Sequence, residues 1–287
     1  MIVAALISVV FYVLYDVAVK EFAIWTGHYK AAMAILGISL IPMLVAAVMV
    51  HASWIGYNEI VLAAASGIFL FLGVELLYKS LHTEQLTNSI GLNNVGSAVL
   101  VVFGILVLHE VISGIGLFGI LLVFAGAYLL LAVKKTKINK QLIPSLLAGI
   151  CIGIFWILMA YSIRGSGNFI VPLIISRAVG FIIVAVYVTV FVKDKEEKVH
   201  DRSRFLYKIG TMVLLVGIIA GLADGVGDTL FAYVTLNGYL AIGSALTLLG
   251  PIFAGVIAHY VYKDRLTKAQ LVGFMIIMIG AILITVF

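Results

Sequence analysis

Cysteine is almost absent from this chain. Its 287 residues hold one, Cys151. A lone thiol closes no intrachain disulfide and has no thiol partner for a metal site, so neither staple is available. Charge is scarce too, at 11 % of residues, against about 25 % in an ordinary soluble domain. The net charge is +5, but its basic residues lie in short segments beside apolar stretches. Nucleic-acid binding needs a basic face on a folded domain, and none is available. The six histidines (His28, His51, His82, His109, His200 and His259) are scattered. No HExxH pattern or Cys/His cluster occurs, so neither a metal site nor an enzymatic role is expected. The Walker A pattern is missing, which excludes direct drive by ATP. No TVGYG filter or arginine ladder points to a channel or voltage sensor. No cofactor is expected.

What the chain has in abundance is apolar length. Hydrophobic residues make up 64 % of it, and the mean hydropathy is +1.23. A hydrocarbon core about 30 Å thick takes about 20 apolar helical residues to cross. Ten stretches fit, at about 2–19, 30–50, 60–78, 86–108, 114–133, 142–163, 169–192, 209–235, 238–262 and 268–287. The longest polar stretch, 193–205, reads as a loop, and no soluble domain fits in what remains. Span 1 lacks a basic leader and runs directly into the pattern, so it is expected to stay in the mature protein.

The second five spans repeat the first five. A shift of 154 residues superposes Gly67 on Gly221, Gly73 on Gly227, Gly96 on Gly250, Gly119 on Gly273 and Gly126 on Gly280. Chance gives only about one such match between windows of this glycine content. Glu110 falls on Asp264, and a slightly different shift lays 11–20 on 155–164. An odd number of spans per repeat sends the halves into the membrane in opposite directions, the usual plan of secondary transporters. Glycines let helix backbones approach inside lipid, and Gly221–Gly225 and Gly116–Gly119 fit that use. The expected fold is therefore an all-α integral membrane protein with ten transmembrane helices. These form two inverted five-helix repeats, 1–135 and 142–287, around a central cavity.

The LHEVIS ending of span 4, its echo YKDRLT after span 9, and LTLLGPIFAGVIAHYVYKDRLTKAQLVGFMIIMIGAILI (246–284) carry a family likeness. The chain resembles the drug/metabolite transporter superfamily, most closely its ten-helix EamA-type carriers. The likeness implies a carrier of metabolites or drug-like solutes. Span 4 departs from the family pattern, with Asn93, Asn94 and Gly96–Ser97 where members often have Ser/Thr and a proline. Those polar side chains are candidates to line a cavity.

A carboxylate at membrane depth costs about 2.5–3.5 kcal/mol on insertion scales and is a functional candidate for that reason. Asp16 (span 1), Glu75 (span 3), and Asp224 and Asp228 (span 8) qualify. Asp224 and Asp228 are four apart and share a helical face. The 154 shift sets Glu75 opposite Thr229, so spans 3 and 8 are expected to present acids to one cavity. Neighbouring carboxylates in a low dielectric do not both ionise cheaply, so proton exchange through Asp224, Asp228 and Glu75 is expected to couple transport. The alternative is internal fastening, the acids pairing with Lys79, Arg177 or Asn93, with Lys79 four residues from Glu75 and Lys20 four from Asp16. Arg177 lies inside span 7 as a counter-ion, a holder of a substrate carboxylate, or a snorkelling cation. Tyr15, Tyr78, Trp156, Tyr161 and Tyr233 are amphipathic and suited to lining a cavity or stacking on a cation.

Nearly all Lys and Arg lie between spans 1–2, 3–4, 5–6, 7–8 and 9–10, while the other loops hold only Arg164. The positive-inside rule puts both termini outside the cytoplasm; the family resemblance implies the opposite. The expected function is a secondary carrier of the plasma (inner) membrane, in contact with the lipid bilayer. It moves a zwitterionic or cationic solute, such as an amino acid, metabolite or drug-like cation, by alternating access, and acts as a monomer or weak dimer. The alternatives are a flippase or other membrane protein acting on a lipid-linked intermediate, and a structural subunit.

Overall fold

The computed structural model describes residues 1–83, 89–90, 93–131, 143–191, 206–261 and 268–286, and among them it is helical with no strand. The helices are α1 (Ile2–Thr26), α2 (His28–Met49), α3 (Tyr57–Thr83), α4 (Val95–Leu106), α5 (Gly114–Leu131), α6 (Ile143–Ser166), α7 (Val171–Phe191), α8 (Leu206–Leu236), α9 (Leu240–Thr247), α10 (Gly250–Val261) and α11 (Lys268–Val286). Six of them, α1, α2, α3, α6, α7 and α8, are long and apolar enough to cross a membrane. The chain is a multi-pass membrane protein of apolar helices.

Helix ends follow local chemistry. α1 runs past the expected end at 19, because Lys20 and Glu21 end the apolar stretch but not the helix. It stops before Gly27, whose φ of 80° lies where only glycine sits without strain. Pro144 and Pro172 stand in the first turns of α6 and α7, where a missing N–H costs nothing. Asn168 caps α7, its Oδ1 accepting the N–H groups of Ile170 (3.0 Å) and Val171 (3.1 Å). The stretch expected as one span at 238–262 is two helices. Pro251 has no N–H to give Thr247, so the ladder of a continuous α-helix is interrupted there. α9 accordingly ends at Thr247, and Leu248 and Leu249 bond three residues back, to Ala245 (3.2 Å) and Leu246 (2.9 Å).

The first and second parts of the chain pack on each other throughout. α1 lies on α8, α2 on α7 and α8, α3 on α6 and α7, α4 on α6 and α9, and α5 on α11. At one end of the bundle the connections are tied together. The Asn168 amide donates to Ser53 O (2.8 Å) and the Ser162 hydroxyl to Glu59 O (2.8 Å).

Candidate functional site

Glycine sets the position of α8. A Cβ on Gly221 would lie 2.6 Å from Ile38, one on Gly225 2.5 Å from Pro42, and one on Gly217 2.6 Å from Phe22. No side chain fits these gaps, so α8 seats directly against α1 and α2. The small-residue reading of Gly221–Gly225 therefore holds. Gly119 also meets a partner helix, its carbonyl 2.6 Å from where a Cβ on Gly280 of α11 would sit. Gly116 differs, since a Cβ there would touch only its own turn at Ile112 and Ser113.

With that face of α8 seated on α2, Asp224 and Asp228 line a cavity of about 120 Å³. Both are buried, at 5 % and 4 % exposure, beside Arg177 of α7 at 2 %. Arg177 Nη1 lies 2.7 Å from Asp224 Oδ2, and Nη2 donates to Asp228 Oδ2. Tyr12 of α1 donates its hydroxyl to the other Asp228 oxygen at 2.8 Å. One guanidinium thus bridges two carboxylates one helical turn apart, using the fork geometry that lysine lacks. Arg177 does not snorkel to the interface. Its Nε and Nη1, like Asp224 Oδ2, make no hydrogen bond among the described residues, so Arg177 and Asp224 meet as an ion pair.

The rest of the wall comes from six other segments. Half-buried Asp16 of α1 reaches the cavity and has no ion-pair partner among the described residues. Opposite stand Asn93, Asn94 and Ser97 with Thr247. Thr247 donates to Ser97 Oγ (2.9 Å), Ser97 leans on Asn94 Oδ1 (3.4 Å), and the Asn94 amide returns to Ile90 O (2.9 Å). Asn93 Oδ1 is buried and accepts no hydrogen bond among the described residues. Trp156 of α6 completes an aromatic wall, edge-on to Phe231 at 4.5 Å and to Phe155 at 5.0 Å.

Of the residues expected at a site, Asp16, Asn93, Asn94, Trp156, Arg177, Asp224 and Asp228 meet here. Glu75 does not line the cavity; its carboxylate lies 3.1 Å from His28 Nε2. Leu70, Val74 and Leu77 present the cavity face of α3, and Glu75, one position beyond Val74, is rotated about 100° away from it. Tyr78 is buried behind the wall, its hydroxyl accepting from the cavity residue Tyr15 at 3.0 Å. Tyr161 and Tyr233 do not line the cavity and are more than a third exposed. Tyr12 was missed by the sequence reading, although it stands four before Asp16 and so on the same helical face. Nothing in the sequence singled out Thr247.

A model of the EamA-like transporter family matches residues 139–286, just over half of the chain. A search of curated proteins finds no match. One solved crystal structure is similar over 99 % of this chain and 98 % of its own, with a TM-score of 0.71 and 15 % identity. At that identity the likeness speaks for the fold alone. The family match spans the aromatic wall, Arg177, both α8 aspartates and the broken α9–α10 segment, and the chain belongs to the EamA-like transporter family.

Proposed function

We propose that the chain is a secondary carrier of the plasma (inner) membrane that moves a small cationic or zwitterionic organic solute by alternating access. The observation that carries this is the charge of the cavity. Three carboxylates, Asp16, Asp224 and Asp228, face one guanidinium, Arg177, beside an aromatic wall. A phosphate or sugar-phosphate substrate calls for several cations, whereas an ammonium group meets both the surplus carboxylate and the Trp156 ring. Asp16 is the carboxylate we assign to proton exchange, because Arg177 already engages the other two.

Ten crossings as two inverted repeats, 1–135 and 142–287, belong to the same proposal. The packing supports them. Exchanging spans 1–5 with spans 6–10 turns α1–α8 into α3–α6, α2–α8 into α3–α7, and α4–α6 into α1–α9. It leaves α2–α7, α4–α9 and α5–α11 as they are, and every resulting pair packs. A pseudo-twofold axis through the cavity has this effect.

The test is thermal unfolding of the purified protein against amino acids, organic cations and organic anions. A ligand at 100 times its Kd raises stability by about 2.7 kcal/mol. Cations or zwitterions are expected to raise the Tm of the wild type, and not that of Asp16→Asn. Stabilisation by anions alone overturns the substrate class. Stabilisation by lipids alone favours the flippase reading.

A further inference from the structure

Away from the cavity lies a second charged cluster. Glu110, in the connection after α4, is 4 % exposed at its side chain and pairs with Arg164, near the end of α6. Both its oxygens are also used by α9, Oε1 accepting the Leu240 N–H (2.9 Å) and Oε2 the Ala241 N–H (2.7 Å). Arg164 Nε donates in turn to Thr235 O, in the last turn of α8, at 3.2 Å. The residue before Glu110, His109, has a φ of 52°, a left-handed conformation unfavourable for a non-glycine residue. The Glu110–Arg164 pair thus joins four segments, and each of them lines the cavity further along, through Ser97, Trp156, Asp228 and Thr247.

The spacing is consistent among them. Trp156 precedes Arg164 by eight residues on α6, Asp228 precedes Thr235 by seven on α8, and Leu240 precedes Thr247 by seven on α9. Each interval is about 10–12 Å along its helix. The cluster therefore sits about two turns from the cavity along all three helices, at the end where Asn168 and Ser162 tie down the other connections.

We infer that Glu110 and Arg164 form the gate that closes the cavity at this end and must part for it to open. The inference rests on the alternating-access reading above. Glu110 belongs to the first half of the chain, whereas Arg164, Thr235, Leu240 and Ala241 belong to the second. Rocking one half against the other to open this end must break this contact, together with the Asn168–Ser53 and Ser162–Glu59 bonds beside it. Its bonds are charge-assisted and directional, and water replaces each of them as the halves separate. The seats of Gly221 and Gly225 on α2 also join the halves, but they are close backbone packing with nothing for water to replace.

Access to the cavity tests the gate. Replacing Cys151, the one native cysteine, with alanine gives a background in which Thr247→Cys reports access to a membrane-impermeant maleimide. Right-side-out and inverted vesicles present the two ends separately. Glu110→Gln and Arg164→Gln are each expected to speed labelling from the Glu110 end by about tenfold, the effect of losing one bond to a charged group, and to slow it from the other end. Gln variants with wild-type elution and melting profiles that label at the wild-type rate from both ends overturn the gate. Should the variants misfold, hydrogen exchange on the wild type decides. The Leu240 and Ala241 amides are expected to exchange faster than those around Gly221–Gly225, and equal protection overturns the proposal. Thr247→Cys labelled equally from both ends with Glu110 and Arg164 intact tells against alternating access itself and so overturns both readings. Access from one end, unmoved by the Gln variants, tells against the gate alone.

Discussion

Arg177 of α7 reaches Asp224 of α8, guanidinium Nη1 to carboxylate Oδ2 at 2.7 Å, and the same side chain also holds Asp228 one turn away. Cation and anions are all buried, so the charges depend on one another. Removing one partner of a buried pair costs about 3–5 kcal/mol, because the other is left uncompensated. Arg177→Leu is expected to lower the thermal midpoint of the purified protein markedly. Adding Asp224→Asn and Asp228→Asn to that variant is expected to restore much of the loss. A triple variant no more stable than Arg177→Leu would show that the arginine acts through packing.

Trp156 and Asp16 face the cavity while Glu75 does not, and the difference is measurable. Trp156→Ala is expected to weaken binding of an organic cation by a few-fold to about tenfold, the range of a cation–π contact. Asp16→Asn should weaken it at least as much. Glu75→Gln should leave the dissociation constant unchanged, since its carboxylate is engaged with His28. Isothermal titration of the three variants against a cation that stabilises the wild type checks this ordering.

The glycine seats give a stability series. Gly225→Leu forces side-chain atoms into Pro42 and Ser39, and Gly280→Ala forces a methyl to within 2.6 Å of the Gly119 carbonyl. Overpacking of this kind costs about 1–3 kcal/mol or more. Gly210→Ala meets nothing within 4 Å and serves as the control. Melting curves in one detergent should rank Gly210→Ala with the wild type and the other two below it.

The charge bias of the loops predicts the orientation. With Lys and Arg concentrated between spans 1–2, 3–4, 5–6, 7–8 and 9–10, both termini are expected outside the cytoplasm. A C-terminal reporter active only in the cytoplasm should stay dark, and a bright fusion would reverse the assignment.

Apolar length is a run of like residues, and it marked the six helices long enough to cross a membrane before any contact was known. Buried charge was legible for the same reason, since an acid amid apolar neighbours stands out wherever it points. The direction in which a side chain points is a different kind of information. Glu75 and Val74 are adjacent in sequence, yet one meets His28 and the other the cavity, because a single residue turns a helix by about 100°. Glu110 was noticed as part of a motif, but its hold on α9 depends on a partner 130 residues away. The break in span 9 was written in Gly250–Pro251, whose effect falls four residues earlier, at Thr247. Arg177 stood among three readings, and its place beside Asp224 and Asp228 depends on the packing of α7 against α8. Asp264, the repeat counterpart of Glu110, lies outside the described residues.

α5 and α11 hold each other through Gly126 and Gly280 and touch the other helices only lightly, chiefly at α9. Their outward faces, with Phe118 and Leu121 on one and Met275 and Met278 on the other, are exposed. This pair is therefore the natural place for a handle. A spectroscopic label fixed on these lipid-facing sides would report on the surrounding bilayer while leaving the chemistry of the interior untouched.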